Sequence, residues 1–178
     1  MSWSAWRAEV LQDWDCNRGS TKSQVIMAAF RQAHRWQTPA PAGPVARVGV
    51  TAYKVLTTWL LGVELPPETV VGAELRLVHP QAIVVNGETR IGARCMLRAS
   101  TTLGNVVGDD GVASASPALG DDVELGVGVI VIGPVAIGSG ARVGAGAVVI
   151  RDVPPGAVAV GNPARVLAPK AKPADEAA

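Results

Sequence analysis

Aliphatic residues recur at six-residue intervals through most of the chain beyond residue 70. They are Val71, Leu77, Val85, Ile91, Leu97 and Leu103, then Leu119, Leu125, Val131, Ile137, Val143 and Val149. Glycine often follows directly, as in Ile91-Gly92, Leu125-Gly126 and Ile137-Gly138. A period of this length marks a parallel β-helix, in which three hexapeptides close one triangular turn. The twelve positions therefore predict four coils: 71/77/85, 91/97/103, 119/125/131 and 137/143/149. Each aliphatic should point inward and stack on its equivalent about 4.8 Å away along the axis. The glycine after it is expected at a corner that requires positive φ.

The period is broken twice. Leu77 and Val85 stand eight residues apart instead of six, and His79 lies between them. Leu103 and Leu119 stand sixteen apart, leaving a loop over residues 105–116. Insertions on a rigid scaffold commonly carry function. The last stretch, KAKPADEAA, has the composition of a frayed tail.

Before the repeat, the pattern is helical. Residues 4–12 can form a short helix, and residues 13–21 form a turn-rich connector with Asn17, Gly19 and Ser20. Ser20 or Thr21 caps a second helix to about Trp36, with Val25, Ala28, Ala29 and Ala33 on one face. Three prolines in residues 38–44 end it. A third helix is predicted over 46–61, where Val48, Tyr53, Val55, Leu56, Trp59 and Leu60 fall at helical spacing. All five tryptophans, Phe30 and Tyr53 lie in the first sixty residues, and no aromatic follows. A narrow solenoid has no room for such bulk. The predicted organisation is a helical cap over 1–63, a β-helix over 64–168 and a tail over 169–178, with the cap covering the open end of the solenoid.

The 178 residues carry a net charge of +1, which gives no electrostatic reason to expect a nucleic-acid partner. No secretory leader is recognisable, and the longest apolar run, residues 55–63, is too short for a membrane span. Cys16 and Cys95 lie in different segments without metal-ligand spacing and read as reduced cysteines of a cytoplasmic protein. With two histidines in all, a three-histidine metal site cannot be built from one chain, and no metal is expected.

His79 is the candidate for chemistry, because an imidazole can take a proton from a hydroxyl and return it to a leaving thiol near neutral pH. Such a base needs an orienting acceptor. Glu64, fifteen residues earlier and nearly one coil below, is placed to supply it. Spacing alone leaves a second reading open, in which His79 decorates a corner and Glu64 ends a helix. His34 sits among Gln32, Arg35 and Trp36 on the second helix and reads as a surface or packing residue. No serine or cysteine stands in an activated pairing.

Three segments then acquire a common meaning: VELPPETVVGAELRLVHPQAIVVNGETRIGARCMLRASTTLGN, SPALGDDVELGVGVIVIGPVAIGSGARVGAGAVV and RDVPPGAVAVGNPARV. Together they resemble the hexapeptide-repeat acyltransferases, specifically the serine acetyltransferase-like branch. The stretch LQDWDCNRGSTKSQVIMAAFRQAH is similar to a short helical cap in relatives from polysaccharide-biosynthesis clusters. The resemblance implies a left-handed, trimeric β-helix with active sites between subunits and acetyl-CoA as co-substrate. It makes His79 the catalytic base and Glu64 its orienting carboxylate. Asn105, Val127 and Ala145 fall where main-chain groups meet the thioester and pantetheine arm, and Arg165 and Lys170 where the cofactor phosphates would lie.

The departures bear on the acceptor. Serine acetyltransferases place an aspartate before the catalytic histidine, where this chain has Val78, and a second histidine where it has Ser116. An ammonium without that carboxylate loses a contact worth about 1.5–3 kcal/mol. The short cap argues against a dimer of trimers, and the Ala177-Ala178 end lacks the isoleucine that docks into cysteine synthase. The resulting expectation is direct acetyl transfer to a sugar or other polyol hydroxyl. L-serine as acceptor and a non-catalytic trimeric solenoid remain the alternatives.

Overall fold

The computed structural model describes residues 2–37 and 43–167. Three helices come first: α1 (Trp3–Val10), α2 (Thr21–Gln37) and α3 (Pro44–Lys54). The last runs on as a π-helical turn over Val55–Leu60. Ser2 Oγ accepts from the Ala5 N–H, and Ser20 Oγ accepts from the Ser23 N–H, so hydroxyls cap α1 and α2. Pro44 opens α3, where its missing N–H costs no hydrogen bond.

Strands then follow as short pieces of two or three residues. β1 (Val63–Glu64), β2 (Val70–Val71) and β3 (Arg76–Val78) begin the solenoid. β4 (Ile83–Val85), β5 (Arg90–Ile91), β6 (Met96–Arg98) and β7 (Thr102–Gly104) continue it to the long loop. Beyond the loop come β8 (Ala118–Leu119), β9 (Glu124–Leu125), β10 (Ile130–Ile132), β11 (Ala136–Ile137), β12 (Arg142–Val143) and β13 (Val148–Val149). β14 (Val158–Val160) and an antiparallel β15 (Arg165–Leu167) close the far end.

These pieces stack into three faces of a prism. The first face runs β1-β4-β7-β10-β13, the second β2-β5-β8-β11, and the third β3-β6-β9-β12-β14-β15. Register follows the hexapeptide positions: Val71 pairs with Ile91 and Ile91 with Leu119, while Leu103 pairs with Val131 and Val131 with Val149. The aliphatics from Leu77 to Val149 are buried, as the period predicts. Two residues before each lies a second inward layer, which includes Thr69, Cys95, Val123 and Ala141. The long loop leaves the wall without breaking the stack, because β8 resumes pairing with β5.

The glycine expectation needs correction. The residues after the aliphatics are not at positive φ; the corner residues two positions further on are, including Glu74, Arg94, Asp122 and Gly140. Gly92 serves close approach instead. A Cβ there would lie 2.4 Å from the Gly120 backbone of the next coil. Stacked coils pass too near each other at this point for any side chain.

The apolar faces of the helices also differ from expectation. On α2 the buried side is Ile26, Met27, Phe30, Arg31 and Ala33, while Val25 is exposed. On α3 and its π-helical extension, Ala46, Val50, Tyr53 and Thr57 face inward. Val48, Val55, Trp59 and Leu60 point outward, Trp59 with 86% of its surface exposed. The inward side is chosen by shape and hydrogen bonding. Trp36 of α2 lies so close to α3 that a Cβ on Gly49 would meet its ring, and the buried Tyr53 hydroxyl donates to Leu65 O at 2.6 Å.

The open end of the solenoid is capped by side chains that replace a missing strand. Asp13 Oδ1 accepts from the Leu75 N–H at 2.9 Å. Asn17 Nδ2 donates to Leu75 O at 2.8 Å, and its Oδ1 accepts from the Leu77 N–H at 2.9 Å. Ser23 Oγ donates to Leu77 O at 2.8 Å. On the second face, Arg31 donates to Val71 O and Gly72 O, and its Nε also holds Asp13 Oδ2 at 2.7 Å. Each backbone group satisfied in this way is one that would otherwise be stranded beneath the helices.

Candidate active site

His79 sits in the two-residue insertion between β3 and β4, at the edge joining the third face to the first. Its φ is 51°, in the left-handed region, and Pro80 follows it. A residue before proline is already disfavoured in helical backbone. Glu74, Ala82, Arg94, Ser100 and Asp122 share this backbone region, so the left-handed φ of His79 is the conformation the turns of this solenoid impose. Buried Pro80 anchors the insertion, and the His79 side chain is exposed.

The histidine opens on a cleft of about 310 Å³ between the solenoid and the connector that precedes α2. Cys16, Asn17, Arg18, Gly19 and Ser20 form one wall, and Arg76, Leu77, Val78 and His79 the other. The connector is held there because Asn17 hydrogen bonds on both sides of the β3 backbone. Burial, then Asp13 and Glu74, push the Cys16 thiol above its ordinary pKa. Burial likewise raises Cys95 to about 11. Both cysteines are neutral thiols near pH 7, poor nucleophiles for an acyl group.

The edge carrying His79 continues upward as a hydrogen-bonded ladder. The Ser100 N–H donates to Gln81 O, the Gly128 N–H to Ala99 O and the Gly146 N–H to Val127 O. Val127 and Ala145 therefore stand on the same edge as His79, both exposed. At ordinary strand spacing they lie about 10 and 14 Å above it along the axis. Arg165 is exposed on β15 opposite Val160, beside the far end of this edge. Asn105 is elsewhere. It follows β7 on the edge between the first and second faces, where the 105–116 loop leaves the wall. That loop folds on itself through a Val107–Ala113 bridge and exposes Val106, Val107 and Val112. Lys170 lies outside the described residues.

Glu64 projects from β1 on the outer side of the first face, paired with Val84 of the coil that holds His79. It lines a different cleft, with Tyr53, Lys54, Thr57 and Glu68. Among the described residues no hydrogen bond joins Glu64 to His79 within one chain. His34 Nδ1 donates to Pro67 O, 2.6 Å away, in a packing role. No three His, Cys, Asp or Glu side chains gather as a metal site among the described residues. Among them, too, no helix is long and apolar enough to cross a membrane.

Sequence reasoning missed the connector as a wall of the site. Nothing in a turn-rich stretch says which part of a distant strand its side chains will reach. Arg76 was findable, because it immediately precedes inward Leu77 and must face out.

The edge and cleft define a β-helix of stacked hexapeptides with an exposed imidazole at an interrupted corner. No protein-family model matches the chain. Individual relatives do. Over 161 residues the chain is 31% identical to the putative colanic acid biosynthesis acetyltransferase WcaB of Escherichia coli, covering 88% of this chain and 98% of that protein. It is 35% identical over 139 residues to the serine acetyltransferase of Mycobacterium tuberculosis, covering 77% of this chain but only 57% of that enzyme. The chain thus spans little more than half the length of that relative. Soybean serine acetyltransferase complexed with serine superposes with a TM-score of 0.78 and 28% identity, over 92% of this chain and 70% of that one. The chain belongs to the hexapeptide-repeat acyltransferases of the serine acetyltransferase-like type.

Proposed function

We propose that the protein is an acetyl-CoA-dependent O-acetyltransferase in which His79 is the general base and the acceptor is a sugar or other polyol. His79 removes the hydroxyl proton as the oxygen attacks the thioester carbonyl. The tetrahedral intermediate collapses with cleavage of the C–S bond, and the imidazolium returns its proton to the departing thiolate. The products are the acetyl ester and free CoA. Two raised thiols support direct transfer over an acyl-enzyme.

The observation that carries this reading is the exposed His79, fixed in left-handed backbone at the foot of an edge that also bears Val127 and Ala145. Along that edge, main-chain groups would meet the pantetheine arm, with Arg165, and Lys170 beyond it, toward the phosphates. Glu64 is proposed to orient the imidazole in the assembled enzyme. A homotrimer accounts for Asn105 standing on the opposite edge, since each site would draw one edge from each of two subunits. The outer side of the first face, with Val84, Ile130, Ile132, Val148 and Ile150, is the apolar surface available for that assembly.

A free-thiol assay with acetyl-CoA and a panel of sugars, homoserine and L-serine tests the proposal. His79→Ala should lower thiol release about a hundred- to ten-thousandfold while leaving the oligomer intact. An unaffected rate removes His79 from the chemistry. L-serine is the second reading, favoured by the two serine acetyltransferases among the relatives and opposed by Val78 beside the base. Turnover of serine at micromolar concentration would establish it. A non-catalytic trimeric module, the alternative of another class, predicts no acyl-CoA turnover and no consequence of His79→Ala.

A further inference from the structure

We propose that the acceptor is anionic, carrying a carboxylate or a phosphate on the molecule whose hydroxyl is acetylated, and that Arg76 binds that charge. This rests on His79 being the base of the reaction above. Among the described residues, the cleft that holds His79 is lined by two arginines, Arg18 and Arg76, and by no carboxylate. A transfer site for a neutral polyol has no need of either. An ammonium group beside them would be repelled, whereas a carboxylate or phosphate would be attracted.

Arg76 is the stronger contact for three reasons. It lies on the same strand as Val78, three residues before His79, so one rigid element sets the distance between charge and base. The backbone on either side of it is pinned, through Leu75 and Leu77, by Asp13, Asn17 and Ser23. Its guanidinium is exposed and has no carboxylate within 4.0 Å among the described residues. Neighbouring pairs are already made: Arg94 is bidentate to Asp122, and Arg142 faces Glu124 at 3.8 Å. Glu74 and Glu124 line the adjoining cleft on the other side of Arg76. Arg18 is held by Asp15 at 2.7 Å, with both side chains largely exposed, and is the lesser contributor.

A planar, permanently charged guanidinium matches carboxylate and phosphate oxygens two at a time. With Val78 between Arg76 and His79, the reacting hydroxyl and the anionic group are held on one side of β3. Combined with the polyol reading above, this makes the acceptor class an acidic sugar or a sugar phosphate.

The test measures binding apart from turnover. The protein is titrated with D-glucuronate, glucose 1-phosphate and D-glucose, by calorimetry and by the response of the His79 imidazole NMR signals. The charged sugars should bind more tightly than glucose. In Arg76→Gln the ratio of charged to neutral affinity should fall about ten- to a hundredfold. Arg76→Lys should restore part of it, and Arg142→Gln, higher on the same face, should leave it alone. Preference for one charged sugar distinguishes carboxylate from phosphate. Equal binding of all three, binding of none, or an unchanged ratio in Arg76→Gln overturns the inference. Charge-selective binding at His79 without thiol release from acetyl-CoA would leave the anion site standing and sink the transfer reaction.

Discussion

Asp13→Ala is the most informative single change outside the proposed site. In the native chain one carboxylate accepts three hydrogen bonds: from the Leu75 N–H and from Nε and Nη2 of Arg31. Both side chains of the ion pair are almost fully buried. Removing Asp13 leaves the Arg31 charge buried without its carboxylate, at about 3–5 kcal/mol. It also orphans the Leu75 N–H, for about 1–3 kcal/mol more if no water reaches it. For a chain of this size each kcal/mol moves Tm by about 2–4 °C, so the midpoint should drop by at least about 6 °C. Asp13→Asn keeps an oxygen for Leu75 and should recover the smaller part. The Asp13→Leu, Arg31→Met pair removes the buried charge altogether and should be less destabilised than the sum of the single changes. Denaturant and thermal unfolding at fixed protomer concentration, with hydrogen exchange of the Leu75 amide, reads these proteins together with the Asp13→Leu and Arg31→Met single changes. A loss below 1 kcal/mol in Asp13→Ala, or strict additivity, would show that these side chains do not substitute for a strand.

Three further outcomes follow from the same geometry. Gly92→Ala should destabilise the fold by a few kcal/mol, because its methyl meets the next coil's backbone at a non-compressible distance; Gly104→Ala, whose Cβ meets nothing within 4 Å, is the control, and equal unfolding curves for the two would refute the close-approach argument. Cys95 should resist iodoacetamide at pH 8 in the folded protein, since its thiol ionises only near pH 11. By linkage, its contribution to stability is intact below pH 9 and lost as pH rises towards 11, where the unfolded thiol ionises first; Cys95→Ala should flatten that alkaline decline. Glu64→Gln should keep the fold and weaken thiol release, and an unchanged rate excludes Glu64 from the mechanism.

The solenoid was legible because its period is local: each aliphatic position repeats the one six residues before, and register follows from counting. His79 was legible for the same reason, as the imidazole inside an interruption of that count. The helical faces were less so. Val48, Val55 and Trp59 have apolar spacing but point away from the core, while Ala46, Val50, Tyr53 and Thr57 fit the surface presented to them. Hydrophobic spacing selects a helix; the shape and carbonyls of its neighbour select the side that is buried.

The sequence by itself determined the class of fold and the two places where its coils open, because those depend on neighbours in the chain; the stack runs past the four counted coils, since β1 adds a strand to the first face and β14 one to the third. The tertiary structure decided what no periodicity encodes. Asp13, Asn17 and Ser23 meet β3 some sixty residues away because its exposed peptide groups need partners. That contact brings Arg18 to the cleft of Arg76 and His79, and it is distance in space, not spacing along the chain, that gives the cleft its charge.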